Sequence, residues 1–568
     1  PYRWQAIAAL ALLLGMVASD LLIPRLTQRI IDQGIATRDM HVVLTTALMM
    51  MGAAILAALF ALGNNYFSVR VGQSFAHDIR SALVRKVQSF SFGNLDELRT
   101  GNLITRSTSD VHMVQMIVMM SLRILTRAPI WIIGAVALLI VTSPQVALMM
   151  AAFVPVIILF IIWFARKAQP MFAWVQQKLD RLNTVLQENL AGVRVVKAFV
   201  RERHEIERFD ETNVELMDKN IRIMRLVAIL MPTMVLILNL AVAGAIWIGG
   251  TTAVSGGMTV GQIVASINYL MFAMFPLMML AGMLGPIAAA NASAGRILEV
   301  LDAEAAVRER PDARDLAAPE GRIAFEDVTF AYGGNGAEPV LCGVDLIAEP
   351  GETVALLGAT GSGKSTLIHL IPRFYDPTEG RVTFDGVDVR DLRLRSLRSN
   401  IGIALQEAVL FGGTIRENIT YGRTDASDEE VRKAAEAAQA AEFIEALADG
   451  YETEIGQRGV TLSGGQRQRV AIARALLVKP KVLILDDSTS AVDIETEVKL
   501  QDALDRLIAD SEDTTTRFIV AQRISTVLLA DKILVLDGGQ IAASGTHEEL
   551  LQTSPIYNEI YQSQLGSA

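Results

Sequence analysis

Nine consecutive residues at positions 358–366, GATGSGKST, set glycines, a lysine and hydroxyls in an order that can grip a polyphosphate. They follow an apolar run at 353–357 and precede a helical pattern opening at Thr366, Leu367 and Ile368, so the local reading is strand, glycine loop, helix. A phosphate-binding loop needs that context. Gly358, Gly361 and Gly363 free the backbone to curl its N–H groups inward, with a helix start behind them. Lys364 brings a point charge and Ser365 a hydroxyl for Mg²⁺, while Thr360, Ser362 and Thr366 fill out the loop. The plainer reading is a glycine turn that precedes a lysine, and four filled positions in the right context argue against it. A nucleoside triphosphate is the expected ligand. Further along, KVLILDD at 481–487 reads as a buried strand ending in two carboxylates, with Asp486 placed to order a Mg²⁺ shell.

At 568 residues the chain is too long for one core, which implies two or more domains. Hydrophobic residues make up 51% and charged ones 20%, and the mean hydropathy of +0.37 is high for a chain with a phosphate loop. The apolar excess must therefore be concentrated. A formal net charge of -10, from 51 basic and 61 acidic residues, leaves no basic footprint and argues against nucleic acid as a partner. The single cysteine, Cys342, excludes an intrachain disulfide and reads as a small core residue. Because the sequence starts at Pro1, a further N-terminal segment is expected, and nothing reads as a cleavable signal peptide.

The apolar excess lies in the first half, in runs near 4–23, 42–62, 117–141, 146–164, 226–248 and 263–290. Each suffices to cross a hydrocarbon core of about 30 Å, so six membrane spans are expected in a domain covering 1–302. The connections near 36–41, 142–145 and 249–262 are short and hold one basic residue, Arg38, whereas 70–106 and 166–225 are long and rich in Arg and Lys. By the positive-inside rule the long stretches are cytoplasmic. They still look helical and reverse near Gly93, Gly101 and Gly192, which implies two hairpins reaching past the bilayer. Charges of both signs alternate over 194–210, as on a solvated or docked face.

Several polar residues interrupt the spans, among them Asp20, Asn64, Asn65, Asn239 and the pair Arg123 and Arg127. The two arginines share a helix face and either meet an anionic group or pair and snorkel within the protein. Methionine clusters, MVQMIVMMSLR and MFAMFPLMMLAGML, suit a cavity that accepts varied apolar shapes, or serve as filler between helices.

Residues 303–320 have the Ala, Pro and charge of a linker, and from 321 to 568 short apolar strands alternate with helices in the manner of an α/β domain. LSGGQ at 462–466, continuing RQRVAIARAL, and then ILDDSTSAVD resemble the signature and Walker B regions of the ATP-binding-cassette family. With six upstream spans, nearly the whole chain resembles an exporter-type half-transporter. The fold implied is a membrane all-α domain of six transmembrane helices with cytoplasmic extensions, followed by an α/β P-loop domain. The resemblance implies ATP and Mg²⁺ as cofactors. In it Tyr332 stacks on adenine, Gln406 touches Mg²⁺ alongside Ser365 and Asp486, and Asp493 closes the D-loop. The segment 453–459 faces the membrane hairpins, with Gln457 where the family usually has Glu, and the regions 93–99 and around Gly192 hold two coupling helices. It further implies that Ser463, Gly464, Gly465 and Gln466 complete the phosphate site of a second cassette, so a partner half-transporter is required.

Two positions depart from the family, and both concern hydrolysis. Asp487 stands where a Glu usually polarises the attacking water; one methylene fewer withdraws the carboxylate by about 1.5 Å, enough to cost on the order of 10²-fold in rate. Gln522 stands in place of a switch-loop His and lacks its positive charge. The pattern resembles the degenerate subunit of a heterodimeric exporter, with a homodimer or an engineered trap as competing ideas. Export of drugs, lipids or peptides across a bacterial cytoplasmic membrane is the expected function. An ATP-gated channel or regulatory subunit, or a siderophore-type importer on the same scaffold, are the alternatives.

Overall fold

The computed structural model describes all residues except 1, 99, 335, 457, 458, 460, 489–493, 510–513, 522, 529 and 566–568. The chain divides into two compact units, Pro1–Gln88 with Gly101–Ala303, and Ser89–Thr100 with Glu304–Ala568.

Among the described residues of the first unit six helices are long and apolar enough to cross a membrane: Arg3–Ile35, Met40–Gln88, Thr100–Thr142, Pro144–Ala191, Glu202–Val254 and Val260–Leu280, the last continuing to Asp302. At 1.5 Å per residue the 49-residue helix Met40–Gln88 runs about 74 Å, more than twice a bilayer core, so much of it extends past the apolar span. Local sequence explains the turns. Ser143 caps the fourth helix with Pro144 at its first position, and Thr259 with Gln262 forms a capping box on the sixth. The core gathers Val17, Trp131, Leu139, Met150, Tyr269 and Met274. Of the two intramembrane arginines, Arg127 pairs with Asp20 at 3.3 Å and lays its guanidinium 3.7 Å over the Trp131 ring, which is pairing between helices. Arg123 lies in a π-helical turn, Ser121–Leu125. Asn64 is buried and donates to the carbonyls of Ala9 and Leu122.

The second unit is α/β. Its strands are β1 (Ile323–Phe330), β2 (Leu341–Ala348), β3 (Thr353–Gly358), β4 (Glu379–Phe384), β5 (Val387–Asp388), β6 (Ile401–Ala404), β7 (Gly413–Thr414), β8 (Glu454–Ile455), β9 (Val482–Asp486), β10 (Thr516–Val520), β11 (Lys532–Asp537) and β12 (Gln540–Gly545). The main sheet runs β12-β11-β3-β10-β9-β6 and is parallel except at β12. A second, antiparallel sheet runs β2-β1-β4-β5. Five consecutive buried residues in β3 and in β9 reflect burial on both faces, as parallel strands require. Sequence patterning implies two short strands at 322–325 and 328–331. The structure has one, β1, with an irregularity after Phe325 where Asp327 takes φ 46°. A bulge restarts the alternation and mimics a break. Residues 304–320 lie along this unit: Arg314 bridges to Leu392, and the Leu316 N–H donates to Ser396.

Candidate functional site

From the middle of the main sheet, between β10 and β11, β3 feeds the loop at 358–366. Its tightness is set by close neighbours. A Cβ on Gly358 would stand 2.3 Å from the Leu536 carbonyl oxygen, and one on Gly363, at φ 101°, 2.8 Å from Leu341 Cδ2. Only glycine takes such positions without strain. Ala359, Thr360 and Gly361 form the exposed crest, while Ser362 is buried and its Oγ has no hydrogen-bond partner. Lys364 turns back over the loop, its Nζ donating to the carbonyls of Gly358 and Ala359 at 2.8 Å each. Burial pulls the Lys364 ammonium below its usual range, and the carboxylates of Asp487 and Asp486 oppose that.

At the end of β9, Asp486 is buried and accepts from Ser365 Oγ at 2.9 Å, while its other oxygen lies 3.6 Å from His369 Nε2. Asp487 follows with φ 47° and 7% exposure; its N–H donates to the Val520 carbonyl, and its Oδ2 accepts from Gln406 Nε2 at 3.2 Å. Among residues other than glycine, Asp and Asn bear a left-handed φ best. The structure thus brings Lys364, Ser365, Gln406, Asp486 and Asp487 into one polar cluster. The oxygen donors of Ser365, Asp486 and Gln406 are of the hard type that Mg²⁺ prefers, and a partnerless buried hydroxyl at Ser362 suits a loop shaped for an oxyanion.

Tyr332 stands at the rim of the cluster, 52% exposed, with its hydroxyl 2.9 Å from Thr366 Oγ1 and its ring edge-on to Phe330 and Tyr375. Ser463 is placed elsewhere in the unit, capping the helix Gly464–Leu477. Its Oγ accepts from Gln466 N–H, and Gln466 Oε1 accepts from Ser463 N–H at 2.9 Å. Gly464 and Gly465 fill the first turn without side chains, leaving the helix N-terminus open to an anion. Farther along this helix Arg474 is half-buried and bonds the carbonyls of Asn418 and Val409. Gln522, Asp493 and Gln457 lie outside the described residues.

Sequence reasoning overlooked His369, which faces Asp486 one turn into the helix Lys364–Leu370. It also overlooked Tyr375 and Asn94, whose partners lie in distant segments. For His369 a signal exists in its spacing, four residues after Ser365 and hence on the same helix face. No local signal marks the other two.

Comparison with known proteins agrees with this architecture. The family profile described as ABC transporter transmembrane region matches residues 6–277, and that described as ABC transporter matches 341–490. The uncharacterized ABC transporter ATP-binding protein YfiB of Bacillus subtilis is 42% identical, over 100% of this chain and 97% of that protein. The ATP-dependent lipid A-core flippase of Desulfotalea psychrophila is 36% identical over 90% of this chain and 89% of its own. Among solved structures, a bacterial Atm1-family ABC exporter with ATP bound matches with a TM-score of 0.83 and 29% identity, covering 99% of this chain and 98% of that one. With a six-helix membrane domain ahead of an ATP-binding α/β domain, the chain belongs to the ABC transporter family and has the fold of an exporter half-transporter.

Proposed function

We propose that this chain is one half of a heterodimeric exporter that moves amphipathic or hydrophobic molecules out of the cytoplasm, and that its own phosphate loop holds ATP more than it cleaves it. The observation that carries this reading is Asp487: a short carboxylate after Asp486, buried and already engaged by Gln406. A carboxylate one methylene shorter than the usual Glu is expected to reach an attacking water less well. Gln522 supports the same conclusion from sequence alone.

The residues divide the work. Lys364 and the loop amides hold the β- and γ-phosphoryl oxygens, Ser365, Asp486 and Gln406 hold the divalent cation, and Tyr332 stacks on the base. Mg²⁺ bound there would neutralise charge on the phosphoryl oxygens. Ser463, Gly464, Gly465 and Gln466 present donors to the nucleotide of the second half-transporter, where turnover takes place. A need for that second half also accords with the tip of the second cytoplasmic hairpin, where Phe199 is 73% and Val200 79% exposed. The long basic stretches support a cytosolic ATP-binding unit, and the membrane in this reading is a bacterial cytoplasmic one. A lipid, drug or peptide substrate suits the methionine-rich spans, and a relative named as a lipid A-core flippase favours the lipid class.

The test is ATPase turnover of the purified chain alone and with a candidate partner. Alone, turnover is expected on the order of 10²-fold below the complex; brisk hydrolysis by the isolated chain would sink the degenerate-site reading. Combining Asp487→Glu with Gln522→His is expected to raise turnover of the complex about twofold, as one competent site becomes two.

A further inference from the structure

Segment Ser89–Thr100 belongs to the ATP-binding unit, and its short helix Phe92–Leu98 is held there at two points. The first is Asn94, buried, whose Oδ1 accepts from the Ser91 N–H, from Ser91 Oγ and from the Ala306 N–H, while its Nδ2 donates to the Glu304 carbonyl at 2.9 Å. The second is aromatic. Phe92 stacks on Phe374 at 4.1 Å and 18°, and the Tyr375 hydroxyl donates to Asp96 Oδ2 at 2.7 Å. Burial, and then the Asp96 carboxylate, push the ionisation of that phenol to higher pH, so the bond keeps its proton at neutral pH.

The Tyr375 ring also meets Tyr332, at 5.3 Å and 90°, and Phe330 at 5.5 Å. One side chain therefore touches both the tyrosine at the nucleotide rim and the segment that joins the second and third membrane helices. Between them lies a cavity of about 320 Å³, whose walls include Asn94, Glu97, Tyr332, Gly333, Tyr375 and Asp376.

From this juxtaposition we infer that Tyr375 is a positioning residue that links the seating of a purine base on Tyr332 to the docking of segment Ser89–Thr100. The inference rests on the reading of Tyr332 as the base-stacking residue. A base on Tyr332 restricts that ring, the restricted ring restricts Tyr375, and Tyr375 steadies Asp96 and the helix that carries it. Linkage is reciprocal, so loosening the segment must also weaken the nucleotide. Phosphates alone, which engage the loop at 358–366 without reaching Tyr332, leave the segment unchanged.

Amide hydrogen exchange of the full chain in lipid nanodiscs tests this directly, read on peptides covering 89–100. In the wild type, ATP is expected to slow exchange there by about tenfold, while inorganic tripolyphosphate does not. Tyr375→Phe keeps the ring and loses one hydrogen bond; it should cut the slowing to about threefold or less and weaken ATP binding about fivefold. Asp96→Asn, which retains a carbonyl acceptor, should preserve most of both effects, and Asp96→Ala should match Tyr375→Phe. Wild-type slowing in Tyr375→Phe, or equal slowing by tripolyphosphate, would overturn the inference alone. Unchanged ATP affinity in Tyr332→Ala would overturn the base-stacking reading, and the inference with it.

Discussion

The two cytoplasmic hairpins end alike and fare differently. Each is built from helices of 43 to 53 residues and turns through a short helix, Phe92–Leu98 in the first and Val193–Ala198 in the second. The first tip is closed within the chain: its asparagine bonds the Glu304 carbonyl and the Ala306 N–H, and its phenylalanine is stacked. The second leaves Val195, Phe199 and Val200 exposed, with Val200 at φ 53°, a conformation that a β-branched residue adopts at a cost. A satisfied tip moves with the unit it is fastened to. In the function proposed above, the exposed apolar tip is half of an interface whose complement the second half-transporter supplies.

Substitutions at the two tips test the contrast. The largest effect is expected from Phe199→Asp with Val200→Asp: transport-coupled ATPase of the assembled complex should fall tenfold or more, on the order of an interface anchor lost. The unfolding midpoint of the isolated chain should meanwhile stay within about 1 °C, because neither side chain is buried there. A large drop in that midpoint would mean that the second tip is packed in its own chain and that the two tips are alike. Next in size, Asn94→Ala leaves the Ala306 N–H and the Glu304 carbonyl without their partner, at a cost of about 2 kcal/mol, measured as lower denaturant resistance of the ATP-binding unit. Phe92→Ala removes the stacked ring and should cost about 1 kcal/mol beyond the area lost, seen as faster hydrogen exchange over 89–100. The smallest change belongs to the second hairpin. Glu188→Gln breaks its pair with Arg208, both partly exposed, and should shift the midpoint by less than about 1 °C, with the difference vanishing in high salt.

Legibility from sequence followed the locality of the chemistry. The six spans were readable because each is one unbroken apolar run, and the loop at 358–366 because strand, glycines, lysine and helix are contiguous. Ser463 and Gln466 drew notice as part of LSGGQ, and the capping box that the structure adds is a relation between residues three apart. Strand β1 was misread as two strands because its bulge at Asp327 interrupts the alternation without ending the ladder. Asp487 was noticed for its length, but its left-handed backbone and its bond to Gln406 were invisible, because Gln406 lies 81 positions away.

Six apolar spans, the α/β domain that follows them and the family were all legible in the residue order alone. All of these depend on residues within a few positions of each other, where backbone geometry makes spacing equivalent to contact. Tertiary structure decided the rest. It closed Asn94 onto Ala306 across 212 positions and Tyr375 onto Asp96 across 279, and it paired Arg127 with Asp20 across 107. Such contacts form only when the whole chain has packed, because the entropy of closing long loops is recovered by many burials together and by no single residue type.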